Sequence, residues 1–178
     1  MRQHKNPDGS NGPMVPGSAS IGEEAWIGDS AAIGDSATIG EGAWIGDSAA
    51  IGKWATIGEG AWIGDLAAIC DSAMIGERAT IGERAWIGHS AWIGERAWIG
   101  KWATVQTIRR TDGYWFALVP LESGDWRVTA RCRDFTPAEG REHWTRTRGG
   151  TPLGAETLAI LDYFDARIAL GIGRGKLS

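Results

Sequence analysis

Fourteen consecutive hexapeptides run without a break from Ile21 to Thr104, and this limits what the 178-residue chain can fold into more than any other feature. The array opens IGEEAW, IGDSAA, IGDSAT, IGEGAW and closes IGKWAT. Position one is Ile and position five is Ala in all fourteen repeats; position two is Gly in thirteen, with Cys70 the exception. A period of six is not helical, because the apolar residues of a helix recur near every 3.6 positions. A branched residue at position one suits a strand. Position five must be small. A Gly after each Ile marks backbone crowding or an unusual φ. The pattern therefore reads as short strands and turns, all winding one way. The 27 Gly residues do not signal collagen, which needs Gly at every third position. Disorder is excluded by a composition that is 43% hydrophobic.

The motif I-G-x-x-A-x resembles that of the hexapeptide-repeat proteins, whose fold is a left-handed parallel β-helix. The resemblance implies three hexapeptides per triangular coil of eighteen residues. Fourteen repeats then make about 4.7 coils stacked at ~4.8 Å, the strand spacing, in a prism roughly 20 Å tall. Ile and Ala would fill its interior. The fold class expected is mainly β: this helix, followed by a small α+β C-terminal domain of a hairpin and two helices. The domains read as 1–20, a flexible lead-in rich in Gly, Pro, Ser and Asn; 21–108, the β-helix; and 109–178, the tail.

Residues eighteen apart should stack, which sorts position six into three faces. One carries Trp26, Trp44, Trp62, Thr80 and Trp98; the second Ala32, Ala50, Ala68, Trp86 and Thr104; the third Thr38, Thr56, Met74 and Trp92. Each Trp can bury ~150–250 Å², so the first face exceeds the apolar patch a monomer usually leaves open. The resemblance makes a subunit interface at Trp26, Trp44, Trp62 and Trp98 the expected cover, since family members are commonly trimers. An aromatic ligand or the chain's own tail are the other covers open to it. Trp86, Trp92, Trp98 and Trp102 ring the last coils and are expected to pack under the tail.

Glu23, Glu41, Glu59, Glu77 and Glu95 form a column of like charges, read as a solvated corner that also discourages edge aggregation. The array holds 12 acidic and 5 basic residues, which argues against nucleic acid wrapping it. Two Cys and three His give neither a disulfide scaffold nor a four-Cys zinc site. No metal and no cofactor is expected. No apolar run of ~18 residues exists to span a membrane, and no signal peptide is visible. The expected location is the cytoplasm, of a host cell if the chain is phage-encoded.

After Thr104, Tyr114–Leu121 and Trp126–Cys132 read as two strands of a hairpin, with Pro120 suggesting an edge strand. Thr136, Pro137 and Glu139 read as an N-cap, first turn and capping box for a helix to about Thr145. Ala155–Leu170 reads as a second helix that turns Leu158, Leu161 and Ile168 to one side. Arg131, Arg133, Arg141, Arg146 and Arg148 cluster in sequence around Phe135, His143 and Trp144. Arg forks suit phosphates and aromatic rings suit bases, so these eight residues are the candidate ligand-binding set; the alternative is an ordinary surface balanced by Asp134, Glu139 and Glu142. The stretch from Ala130 to Trp144 is also similar to phage and prophage proteins often labelled transferases on account of their repeats.

Many hexapeptide proteins are acyltransferases, and the resemblance implies a His base between subunits beside a loop protruding from a coil. Here the array has no interruption for such a loop. His89, in IGHSAW, is the coil histidine that could serve. Family-related carbonic anhydrases use three His on zinc, which one coil His cannot supply. Cys70 and Cys132 read as packed thiols. The reading is therefore a non-enzymatic, phage-type binding protein, a homotrimer that sequesters a nucleotide-like signal or blocks a host protein to antagonise host defence. The alternative is an acyltransferase using acyl-coenzyme A with His89 as base; a second is a structural virion component.

Overall fold

A computed structural model describes residues 1–130 and 133–175. The array forms a β-solenoid of about five turns, followed by a tail with two helices. Fourteen two-residue strands, from Ser20–Ile21 to Trp98–Ile99, each hold positions six and one of adjoining repeats. Their parallel register pairs residues eighteen apart: Trp26 with Trp44, Trp44 with Trp62, Trp62 with Thr80, and Thr80 with Trp98. Ile and Ala of the repeats form one continuous buried core.

Three backbone hydrogen bonds per repeat join the coils. Trp44 N donates to Ala61 O, Gly46 N to Ile63 O, and Ser48 N back to Asp29 O, at 2.8–2.9 Å. The third bond explains the turns. All fourteen residues at position four have positive φ, and twelve of them are not Gly. This left-handed conformation costs an L-residue about 1–2 kcal/mol, but from Gly42 onward it swings the position-four N–H onto the preceding coil. The Gly at position two has a different reason. A Cβ on Gly58 would lie 2.6 Å from Glu77 N in the next coil, so only a bare backbone fits.

Residues 1–20, expected as a flexible lead-in, instead include a hairpin of Arg2–Lys5 and Asn11–Val15 that closes the first coil. Asn6 is buried, donates to Ile27 O at 3.3 Å and accepts from Ile27 N at 3.0 Å. Its side-chain amide thus replaces the backbone of a missing coil. At the other end, strand Thr104–Arg109 begins parallel to the face of Ala32, Ala50, Ala68 and Trp86. It then continues antiparallel to Trp115–Pro120, which pairs with Trp126–Ala130, which pairs with Arg133–Phe135. One face of the prism thus runs on into the tail sheet without a seam. Trp115–Pro120 lies inside this sheet and not at its edge; Pro120 is tolerated because it is the last residue before the turn. Gly173 O accepts from Thr104 N at 2.8 Å and stands in for the next coil.

Helix α1 (Pro137–Arg148) has the capping box of Thr136 and Glu139, and helix α2 (Pro152–Ala169) is capped by Thr151. Both pack on a second core that includes Phe116, Leu118, Trp126, Trp144, Leu161 and Phe164. Leu158 and Ile168 flank that core, and Ile160 and Phe164 reach it more fully. No helix among the described residues is long and apolar enough to cross a membrane.

Candidate functional site

The solenoid brings the first tryptophan column into register. Trp26 and Trp44 stack with ring centroids 5.0 Å apart and planes 5° from parallel. Trp44, Trp62 and Trp98 stay exposed, Trp98 at 60%. The tail docks on the open end of the prism and reaches this flank at Glu122, beside Trp98. Of the four Trp expected beneath the tail, Trp92 is half-buried, and its carbonyl accepts from Thr129 Oγ1 at 3.0 Å. Trp86, Trp98 and Trp102 remain exposed, because the tail sheet extends a face rather than wrapping a side. Trp102 instead carries the Arg84 guanidinium 4.7 Å above its ring.

The two acidic corners differ. Asp47 Oδ1 accepts from Asp29 N at 2.9 Å, and Asp65 Oδ1 from Asp47 N at 3.0 Å, so short Asp side chains stitch coil to coil. The five Glu of the other column are all exposed. No group of three or more His, Cys, Asp and Glu suited to a metal occurs among the described residues.

His89 is exposed at the corner that also carries Lys53 and Asp71. Asp71 lies one coil before it, and its Oδ1 accepts from Lys53 N at 2.8 Å. No loop projects from the coils near it. Cys70 is half-buried, and burial, with Asp71 beside it, pushes its thiol pKa up. It is a poor nucleophile there.

The structure divides the candidate residues of the tail. Arg133, His143, Trp144 and Arg148 share a cavity of about 520 Å³ with Arg110, Tyr114 and Thr147. Phe135 and Arg146 line a separate groove on the other side of His143, where Asp134, Glu139 and Glu142 balance the charge. Arg141 belongs to neither cavity: it bridges Asp162 and Asp165 of α2, at 2.7 Å each, and ties the helices together. That pairing removes it from the ligand-binding set. Arg131 and Cys132 lie outside the described residues.

His143 stands between the two cavities: it stacks on Phe135 at 5.0 Å on one side, and Arg133 Nη1 donates to its Nε2 at 3.2 Å. Burial first, then the charges of Arg133 and Arg146, hold its pKa below the ordinary value. The cavity around the imidazole is lined by the cations Arg110, Arg133 and Arg148, of which Arg133 disfavours its charged form. Arg110 is 3% exposed and forks onto both oxygens of Asp112, at 2.9 and 2.7 Å, with Thr157 Oγ1 at 2.6 Å. This fork brings the Asp112 pKa down to about 2. Sequence reasoning missed Arg110; its signal was the turn R-R-T-D-G, where an Arg two residues before an Asp can close on it.

The repeat match and the coils agree on the class. The family described as "Bacterial transferase hexapeptide (six repeats)" matches residues 55–89. The same spacing extends from Ile21 to Thr104. The chain is a hexapeptide-repeat β-solenoid. Among solved structures it is similar to the acetyltransferase domain of PglB from Neisseria gonorrhoeae FA1090, with TM-score 0.50 and 21% identity, over 51% of this chain and 44% of that one. It is also similar to GDP-perosamine N-acetyl transferase from Caulobacter crescentus, with TM-score 0.39 and 19% identity, over 48% and 49% of the two chains. The likeness to the first is one of fold, and the chain spans less than half the length of either. No curated protein matches it in sequence.

Proposed function

We propose that the protein is an acyltransferase of the hexapeptide-repeat kind, taking its acyl group from acyl-coenzyme A with His89 as general base. The observation that carries this reading is the exposed imidazole on a coil corner, at the last residue of the transferase-hexapeptide match. The match to that family and the fold shared with an acetyltransferase domain support it. In this chemistry His89 takes the proton of an amine or hydroxyl as that group attacks the thioester carbonyl. The coenzyme thiolate then leaves and is protonated. A placed base of this kind contributes about 10²–10⁴ in rate.

Uninterrupted coils supply no loop to wall a cleft at His89, which lies at the corner between the Trp86 and Trp92 strands, away from the sheet of the tryptophan column. We assign the stacked Trp26–Trp44 end of the tryptophan column to contact between copies, because an apolar face of this size needs a cover. Appearance of free coenzyme thiol from acetyl-coenzyme A in the presence of amine acceptors tests the reading; no thiol release with any acceptor contradicts it.

The cavity of Arg133, His143 and Arg148 favours a second reading, a binding protein for a phosphate-bearing, nucleotide-like ligand; Arg110 lines it but is already paired with Asp112. Guanidinium forks suit phosphate oxygens. Nucleotide binding that is lost in Arg148→Gln, with no thiol release by the native protein, would select this second reading.

A further inference from the structure

The tryptophan column has one gap, and the gap forms a slot. Trp62 and Trp98 are each one strand away from Thr80. Two strand steps of ~4.8 Å set their backbones about 9.6 Å apart, which leaves room for one ring at the stacking distance already used by Trp26 and Trp44. Trp62, Thr80 and Trp98 line a groove of about 360 Å³ with Asp65, Glu83, Lys101 and Glu122.

The mouth of the groove is negative. Lys101 lies 3.9 Å from Glu83, which also holds Arg84 at 2.8 Å, so this trio keeps one positive charge. Asp65, whose Oδ1 accepts from Asp47 N, and Glu122 bring the sum to one negative charge, and Glu122 is the one whose carboxylate is not engaged. Glu122 is half-buried and fixed by its backbone N–H, which donates to Trp98 O at 2.8 Å. Its carboxylate lies over Gly100, in the space a Cβ there would fill. No hydrogen bond or ion pair to that carboxylate occurs among the described residues. A half-buried carboxylate without a partner, beside two indole faces, is what a bound cation needs. The same corner shows this chemistry in miniature, with Arg84 over Trp102 and bonded to Glu83.

We propose that the slot between Trp62 and Trp98 binds a flat organic cation, such as an amidinium, a guanidinium or a charged heteroaromatic ring. The ring or fork lies over Thr80, and its charge meets Glu122. A cation midway between the indoles lies about 5 Å from each, inside the ~6 Å reach of cation–π attraction. A neutral ring of the same shape gains the stacking but not the charge.

The experiment follows the indole N–H signals of the intact, isotope-labelled protein while benzamidinium chloride is added. The neutral isostere benzamide is the control. Saturable shifts confined to Trp62 and Trp98 are expected with benzamidinium, with binding at least about tenfold weaker for benzamide. Thr80→Trp fills the slot and should abolish the shifts. Glu122→Gln keeps the shape and should weaken binding about three- to tenfold. Absence of shifts, equal shifts with benzamide, or equal shifts at Trp26 and Trp44 would overturn the proposal. A change in the number of subunits in Thr80→Trp would also overturn it and hand the slot to a second copy of the chain. This readout does not depend on acyl transfer.

Discussion

Trp26 and Trp44 lie eighteen residues apart in the chain and stack with their ring centroids 5.0 Å apart. Their contact follows from the coil length, because one full turn returns position six to the same face one strand higher. The same rule places Thr80 between Trp62 and Trp98 and makes the slot. Every surface feature of the prism is a column written into the sequence at intervals of eighteen.

Position two should tolerate a methyl group best where the next coil is absent; Cys70 marks the one repeat that holds a Cβ there with a coil stacked on it. A Cβ on Gly58 meets the backbone of Glu77 and Gly76 at 2.6 Å, whereas on Gly94 its nearest neighbour is 3.7 Å away. Gly58→Ala should lower stability by about 1–3 kcal/mol through overpacking. Gly94→Ala should be neutral, or stabilising by up to about 1 kcal/mol through the unfolded chain. Denaturant unfolding of the two variants makes the comparison, and equal losses would refute the crowding account.

The repeat made the coil, the three faces and the core legible, since each rests on an invariant letter. The reason for Gly was only half legible. Crowding and positive φ both favour Gly, and the chain separates them: crowding falls on position two, while Ser, Arg, Trp, Leu and Glu carry the positive φ at position four. Nothing in a residue such as Trp54 announces that its N–H must turn toward an earlier coil. The N-terminal cap was hidden for another reason. Its Gly and Pro residues look like a linker, and the role of Asn6 depends on Ile27, twenty-one residues away. Arg141 looked like a ligand residue because its partners Asp162 and Asp165 lie on another helix.

Asn6→Ala should strip Ile27 of both side-chain partners while burying its backbone groups. An unsatisfied buried donor or acceptor costs about 1–3 kcal/mol. The Ile27 amide should then exchange with solvent much faster than the Ile45 amide. Unchanged protection at Ile27 would show that the hairpin does not serve as the cap.

The tail should be sensitive to acid through Asp112. Its folded pKa is depressed to about 2, below the ordinary carboxylate value of 3.8. Its contribution is therefore complete above about pH 4 and is lost as the pH falls from there through 2. Near-ultraviolet circular dichroism between pH 5 and 2 should show the tail aromatic signal weakening over that range. Asp112→Asn should weaken the tail already at neutral pH and remove that part of the pH dependence. An Asn variant with the native acid profile would count against the Arg110–Asp112 fork.

Trp44→Glu should place a charge in the proposed contact between copies and lower the native mass of the assembly. Native mass spectrometry of variant and wild type decides this. An unchanged mass would mean that this end of the column is not a subunit contact.

Steady-state thiol release from acetyl-coenzyme A, compared between the wild-type protein and His89→Ala, tests the proposed function most directly. The account predicts that His89→Ala keeps the native melting temperature and assembly but loses about 10²–10⁴ in kcat. A His89→Ala protein as active as the wild type would contradict it.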